Sequence, residues 1–319
     1  MKRLVRFEYL VPMRFFLFIA LMCCPAVSQT AINPHWIAFS RAGAPNSNLQ
    51  CFRPGNVSVS DGSLVITTKA ENASCSSFDL RPAKYKYTSG FVAMRTFNFL
   101  YGTVEFRAKF GGGSKTGAWP IVWMEDASCQ ASDPTGTDDH CNGQEIDIAE
   151  ILSSDFTHVN QQIHINDFKF NDGCTAATTD TSQNFHLYKL VWSPGSLVFS
   201  IDGAVTCSIA KDYVPHSPMY VKVNTFVGNA AGPIKDDSLP WTTLIDYIKV
   251  TQGPFVVFSD DFDSASAIQA ASAATVNVLP APRRGPLQMS PSRLYRWLPA
   301  MILSMALVAA VVIYLQMGM

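Results

Sequence analysis

The sequence predicts an all-β fold, a jelly-roll β-sandwich of two antiparallel sheets, and three observations carry that expectation. From about residue 35 to 252 the chain reads as short alternating or β-branched runs, divided by turn residues at regular intervals. No convincing amphipathic helix interrupts them. At about 215 residues the region is large for an immunoglobulin-type domain and suits two big sheets.

The strand candidates follow in order. "GSLVITTKA" (62–70), "SGFVAMRTF" (89–97) and "YGTVEFRAKF" (101–110) come first, then "FHLYKLVWS" (185–193), "GSLVFSIDG" (195–203), "PMYVKVNTFVG" (218–228) and "TTLIDYIKVTQ" (242–252). "SPGSLVFSIDGAVTC" has turn residues at both its start and its middle, the pattern of a hairpin meander. The full chain of 319 residues carries a net charge of −1, which gives nucleic-acid phosphates nothing to bind.

Both ends differ from the middle. Lys2, Arg3, Arg6 and Arg14 precede the apolar run "FFLFIALMCC", and Ala26 and Ser28 fit cleavage after residue 28, so 1–28 reads as an export signal. A retained signal anchor is the alternative. The catalytic or binding domain is then expected over 29–258, an Ala/Ser/Pro-rich linker over 259–296, and a C-terminal hydrophobic segment over 297–315. That last segment has no charge over 19 residues, near the length that crosses a bilayer, and is expected to tether the domain to a membrane at the cell surface. Whether it acts as a tail anchor or as a signal exchanged for a lipid stays open at this stage. Outside the export segment the six cysteines Cys51, Cys75, Cys129, Cys141, Cys174 and Cys207 are an even set, which in an oxidising compartment favours disulfides. Cys129 with Cys141 is the most local pairing.

The chemistry concentrates in "QEIDIAEI" (144–151). Glu145 and Asp147 share a strand face, whereas strict alternation would turn Glu150 inward beside Ile146 and Ile148. A carboxylate buried there without a partner costs several kcal/mol. One extra residue, a β-bulge at Ile148–Ala149, returns Glu150 to the polar face. Two glutamates four effective steps apart then lean their carboxyl groups to about 5–6 Å, the separation of a retaining glycosidase. Asp147 lies between them, where it can hydrogen-bond one acid and raise the other by like charge. A solvated acidic strand, or calcium held by the three acids, are the other readings of the spacing.

"EIDIAE" resembles the signature of glycoside hydrolase family 16 in its bulged form E-I-D-x-x-E, found in laminarinase-like members. The resemblance extends through "YGTVEFRAKF", "GAWPIVWMED", "NFHLYKLVWSPGSLVFSIDG", "MYVKVNTFVGN" and "TTLIDYIKVTQ" in the family's order, over about residues 50 to 252. It implies a concanavalin A-like jelly roll whose concave sheet forms a cleft, with Glu145 as nucleophile, Glu150 as general acid/base and Asp147 assisting. It implies retaining endo-hydrolysis of β-1,3 or mixed β-1,3/1,4 glucans by double displacement. The alternatives are a cell-wall transglycosylase, a galactan (agar or carrageenan) hydrolase and a non-catalytic lectin-like module. No cofactor is required and no metal ligands are assigned, although the family often holds a structural calcium; the polysaccharide is the expected partner.

Supporting residues come next. Trp119 and Trp123 share a face in an extended segment, and their flat indoles suit the apolar faces of sugar rings. His164, in "NQQIHIND", matches a cleft histidine of the laminarinase-like pattern. Glu105 and Arg107 face together and Asn224 is a cleft candidate, yet an ion-pair ladder and a core hydrogen bond explain them equally well.

Overall fold

The computed structural model describes residues 33–43, 48–76, 82–111, 117–130, 143–152, 155–165, 170–236 and 239–263. The expected export signal and C-terminal hydrophobic segment lie outside these residues, as does all of the expected linker beyond 263. Among the described residues no helix is long and apolar enough to cross a membrane.

Two sheets form the body. The first has seven strands in the spatial order β1 (Trp36–Ala38), β7 (Phe91–Met94), β16 (Met219–Val227), β9 (Ala118–Asp126), β10 (Gln144–Glu150), β11 (His158–Ile165) and β12 (Phe170–Ala177). The second runs β15 (Ala204–Ala210), β14 (Ser196–Ile201), β13 (His186–Ser193), β8 (Gly102–Phe110), β17 (Trp241–Gln252), β5 (Ser63–Ser76), β6 (Pro82–Ser89), β3 (Gln50–Phe52) and β2 (Arg41–Ala42). β4 (Val57–Ser60) adds to β5, and β18 (Phe255–Asp260) adds to β17. The described helical elements are three short 3-10 turns. Pairing is antiparallel except between β3 and β6, which are parallel, a departure from the purely antiparallel expectation. β18 runs past residue 258, and Phe258 and Phe262 both join the core.

Period-two patterning explains how the sheets face each other. In β8, Val104, Phe106, Ala108 and Phe110 are buried while Glu105, Arg107 and Lys109 point outward. The inner face of the first sheet supplies Val92, Val122, Met124, Ile146, Val221 and Val223, all essentially inaccessible. Across from them lie Tyr188, Leu190, Ile245 and Ile248. The core is the interleaving of these two rows.

The opposite face of the seven-stranded sheet is divided. Over β7 it is roofed by the N-terminal segment: Phe39 stacks on Phe91 with centroids 4.5 Å apart, and Phe52 meets Phe91 at 5.2 Å and Phe226 at 5.8 Å. Over β9, β10 and β11 the face lines a cleft of about 420 Å³. Gly173 of β12 lets the edge strand approach β11, because a Cβ there would sit 2.5 Å from the Gln161 carbonyl oxygen.

Two disulfides close the described edges. Cys51–Cys75 joins β3 to β5, and Cys174–Cys207 joins β12 of one sheet to β15 of the other. Cys129 is also disulfide-bonded, and its expected partner Cys141 lies outside the described residues. The inter-sheet bridge spans 33 residues, for which chain-entropy arguments give about 3–4 kcal/mol. The double substitution Cys174→Ser and Cys207→Ser is expected to lower Tm by about 10 °C in calorimetry under oxidising conditions. An unchanged Tm would show that the edge is held by packing alone.

Candidate active site

Residues paired across antiparallel strands share a face, so the register of the first sheet reads out the floor of the cleft. One row is Tyr220, Glu125, Glu145, His164 and Asn171. The next is Lys222, Trp123, Asp147, Gln162 and Gly173. A third begins with Asn224, Ile121 and Glu150 and ends with Asn160 and Thr175. The three acids of "QEIDIAEI" therefore stand side by side on one surface.

A register shift in β10 makes this possible. Asp147 pairs with Trp123 and Ala149 with the adjacent Val122, so Ile148 is the extra residue against β9. On the other side Asp147 pairs with Gln162 and Glu150 with Asn160, three residues answering two. Ile146, Ile148, Ala149 and Ile151 all go into the core, while Glu145, Asp147 and Glu150 all go to the cleft. The bulge falls at Ile148–Ala149, where the residue pattern predicts it, with Ile148 the residue unpaired against β9.

Hydrogen bonds fix Glu150 and Asp147. Trp119 donates from Nε1 to Glu150 Oε1 at 2.7 Å, and Gln162 donates from Nε2 to Glu150 Oε2 at 2.7 Å. His164 Nε2 lies 3.1 Å from Asp147 Oδ2 and 4.0 Å from Glu145 Oε1. Its Nδ1 lies 2.6 Å from Asn171 Oδ1. Trp123 donates from Nε1 to Asn224 Oδ1 at 2.7 Å, and the Lys222 ammonium sits 4.2 Å from the centre of the Trp123 ring while pairing with Glu125. The side chain of Asp147 is 1% exposed and that of Glu145 20%.

Burial dominates the electrostatics. It pushes Glu145 well above the ordinary carboxylate value, and the neighbouring Asp147 charge pushes it further. Asp147 is likewise raised well above its usual value, first by burial and then by the charge of Glu150. Glu150 is raised by burial too, with the donors Trp119, Asn160 and Gln162 and the nearby His164 pulling against it. Burial and like charge act together, so the three acids resist ionising at once.

Of the sequence candidates, Glu145, Asp147, Glu150, Trp119, Trp123 and His164 all line the cleft. Glu105 and Arg107 do not: they lie on β8 of the other sheet, where Glu105 bonds Lys189 and Lys249 and Arg107 bonds Asp246 at 2.7 Å. The ion-pair ladder is their reading. Asn224 is fully buried as the acceptor for Trp123. Gln162, Asn160, Asn171 and Phe226 were not singled out from the sequence. Asn160, Gln162 and His164 recur at every second position of "NQQIHIND", a signal for one polar face that was available around the histidine.

Carboxylates flanking a central acid, on an open β-sheet lined by tryptophan, are the arrangement that carbohydrate-cleaving enzymes use. The chain belongs to the glycosyl hydrolases family 16, whose model matches residues 48–249. It is similar to endo-1,3-1,4-beta-glycanase EglC of Rhizobium meliloti, with 30% identity over 196 residues that cover 60% of this chain and 38% of that protein. It is also similar to a keratan-sulfate endo-1,4-beta-galactosidase of Sphingobacterium multivorum, 28% identical over 57% of this chain and 44% of that one. The chain thus spans less than half the length of these relatives. Among solved structures, the laminarinase catalytic domain of Thermotoga maritima superposes with a TM-score of 0.59 at 25% identity, covering 70% of this chain and 94% of that one.

The raised acids make the folded state destabilised by charge. Unfolded, Asp147 releases its proton near 3.8; folded, it does so well above that. Between the two values the folded state binds the extra proton, so stability falls as pH rises through the window and the penalty persists above it. Each unit of displacement is about 1.4 kcal/mol. Asp147→Asn is therefore expected to raise Tm relative to wild type by several degrees more at pH 7 than at pH 4. Equal shifts at both pH values in calorimetry would contradict a raised Asp147.

Proposed function

We propose that this chain is a retaining endo-glycoside hydrolase that cleaves β-1,3 or mixed β-1,3/1,4 glucans. The observation that carries the reading is the bulge in β10, which puts Glu145 and Glu150 on the cleft floor with Asp147 between them. Two carboxylates on one surface, one ionised and one protonated, are the equipment of double displacement.

In the first step a Glu145 oxygen attacks the anomeric carbon while Glu150 gives its proton to the departing glycosidic oxygen. A glycosyl ester on Glu145 and a free sugar hydroxyl result. In the second step Glu150, now a carboxylate, takes a proton from water. The water oxygen attacks the same carbon and frees Glu145, so the configuration is retained. Esterification removes the charge of Glu145 from the crowded cluster, which lessens the like-charge push on the remaining acids and favours the basic form of Glu150. Trp119 and Gln162 hold Glu150 in place through both steps, and the indoles of Trp119 and Trp123 offer stacking surfaces to sugar rings.

The substrate class rests on the glycanase and laminarinase names of the relatives and on the bulged motif. The disulfides support an exported destination, and a membrane tether through 297–315 extends the same reading.

Glu145→Gln and Glu150→Gln are each expected to cut reducing-sugar release from laminarin by about 10²–10⁴-fold or more. Full activity in these variants would refute the assignment. A panel of laminarin, lichenan, agarose and carrageenan separates glucan from galactan cleavage. The profile of kcat/KM against pH is expected to be a bell with both limbs above the ordinary carboxylate range. The limbs belong to the coupled acids together: activity falls on the acid side as the cluster takes up a further proton and on the alkaline side as it loses its last.

A further inference from the structure

We propose that Glu145, Asp147 and His164 form a binding site for a borderline-soft divalent ion of the zinc type, and that such an ion inhibits the enzyme reversibly. One ligand atom from each residue lies within 4.8 Å of the others. The individual separations, 3.1 Å from His164 Nε2 to Asp147 Oδ2 and 4.0 Å to Glu145 Oε1, bracket the ~3.4 Å between ligands of a tetrahedral ion bound at ~2.0–2.1 Å.

The direction of the histidine is the independent observation. An amide oxygen only accepts hydrogen bonds, so the 2.6 Å contact with Asn171 Oδ1 places the ring proton on His164 Nδ1. Nε2 is then the ring atom that faces Asp147 and Glu145, so one ligand atom from each of three residues converges on one point. Asp147 adds a second sign: its Oδ1 is buried without a hydrogen-bond partner among the described residues. Such a convergence calls for a cation. A metal-bound histidine characteristically donates its other ring N–H to an outer acceptor, and Asn171 already occupies that place.

The scaffold favours capture as well. Glu145 and His164 are direct cross-strand partners, and Asp147 is two residues along the same face of β10. The ligands are thus fixed by backbone pairing before any ion arrives. An imidazole with two carboxylates suits zinc, while magnesium and calcium prefer all-oxygen shells. A bound ion would cover Glu145, so occupancy and glucan attack exclude each other. The inhibition rests on the proposed catalytic role of Glu145; the binding does not.

Zinc chloride in a non-chelating buffer is the probe, titrated calorimetrically into wild type, Glu150→Gln, His164→Gln and Asn171→Leu. One-site binding is expected in wild type and in Glu150→Gln, whose ligands are intact. Affinity is expected to fall at least tenfold in His164→Gln and by about 10–100-fold in Asn171→Leu, which keeps every ligand but loses the outer acceptor. Circular dichroism checks that both variants fold. Calcium and magnesium are expected not to compete. With laminarin, zinc is expected to inhibit competitively and EDTA to restore activity. No zinc binding in wild type, or equal affinity in wild type and His164→Gln, would overturn the site. Zinc binding by a chain that cleaves no glycan would leave the site standing and refute the glycosidase reading instead.

Discussion

Everything in this molecule depends on one change of phase in β10. The strand has to place Ile146, Ile148, Ala149 and Ile151 in the core and Glu145, Asp147 and Glu150 in the cleft. A regular strand cannot do both, because period-two alternation would carry Glu150 inward. Burying that charge without a partner would cost several kcal/mol. A bulge forfeits roughly one ladder hydrogen bond, about 1 kcal/mol. The comparison decides the geometry in favour of the bulge, and the fold around it supplies the two flanking strands whose register absorbs the extra residue.

The second governing quantity is the crowding of charge that the bulge creates. Three carboxyl groups in one partly dry cleft raise one another, and the surroundings answer with selective help. Glu150 receives indole and amide donors, Asp147 receives His164, and Glu145 is left the more accessible. Unequal support is what differentiates chemically similar side chains into distinct roles. The Lys222–Glu125 pair beside Trp123 extends the polar floor, and Glu125, opposite Glu145 in the ladder, adds to the push on that acid.

Much of this was legible in the chain itself. The strand runs and the apolar partners of "EIDIAE" were enough to require a β-sheet and a bulge, since both follow from the two-residue period. The same period misplaced nothing about Glu105 and Arg107 except their sheet: parity says which residues share a face, not which layer that face belongs to. Long-range pairing was the unreadable part. Gln162 reaches Glu150 only because β11 lies beside β10 in a particular register, and Asn171 reaches His164 through β12. The roof of Phe39 and Phe52 over Phe91 joins segments far apart in sequence and made up of ordinary core residues. Trp123 carried a double meaning that only coordinates separate, lining the cleft with its ring while its nitrogen bonds the buried Asn224.

The confinement of all three acids to six consecutive residues has an evolutionary corollary. Their mutual geometry is inherited from the local backbone of a single strand, clamped on both sides by neighbours. Loops around the rim can lengthen, shorten or exchange without altering that geometry. The placement of the acids and the shape of the rim are therefore separately heritable, and a lineage can reshape the cleft without disturbing its floor.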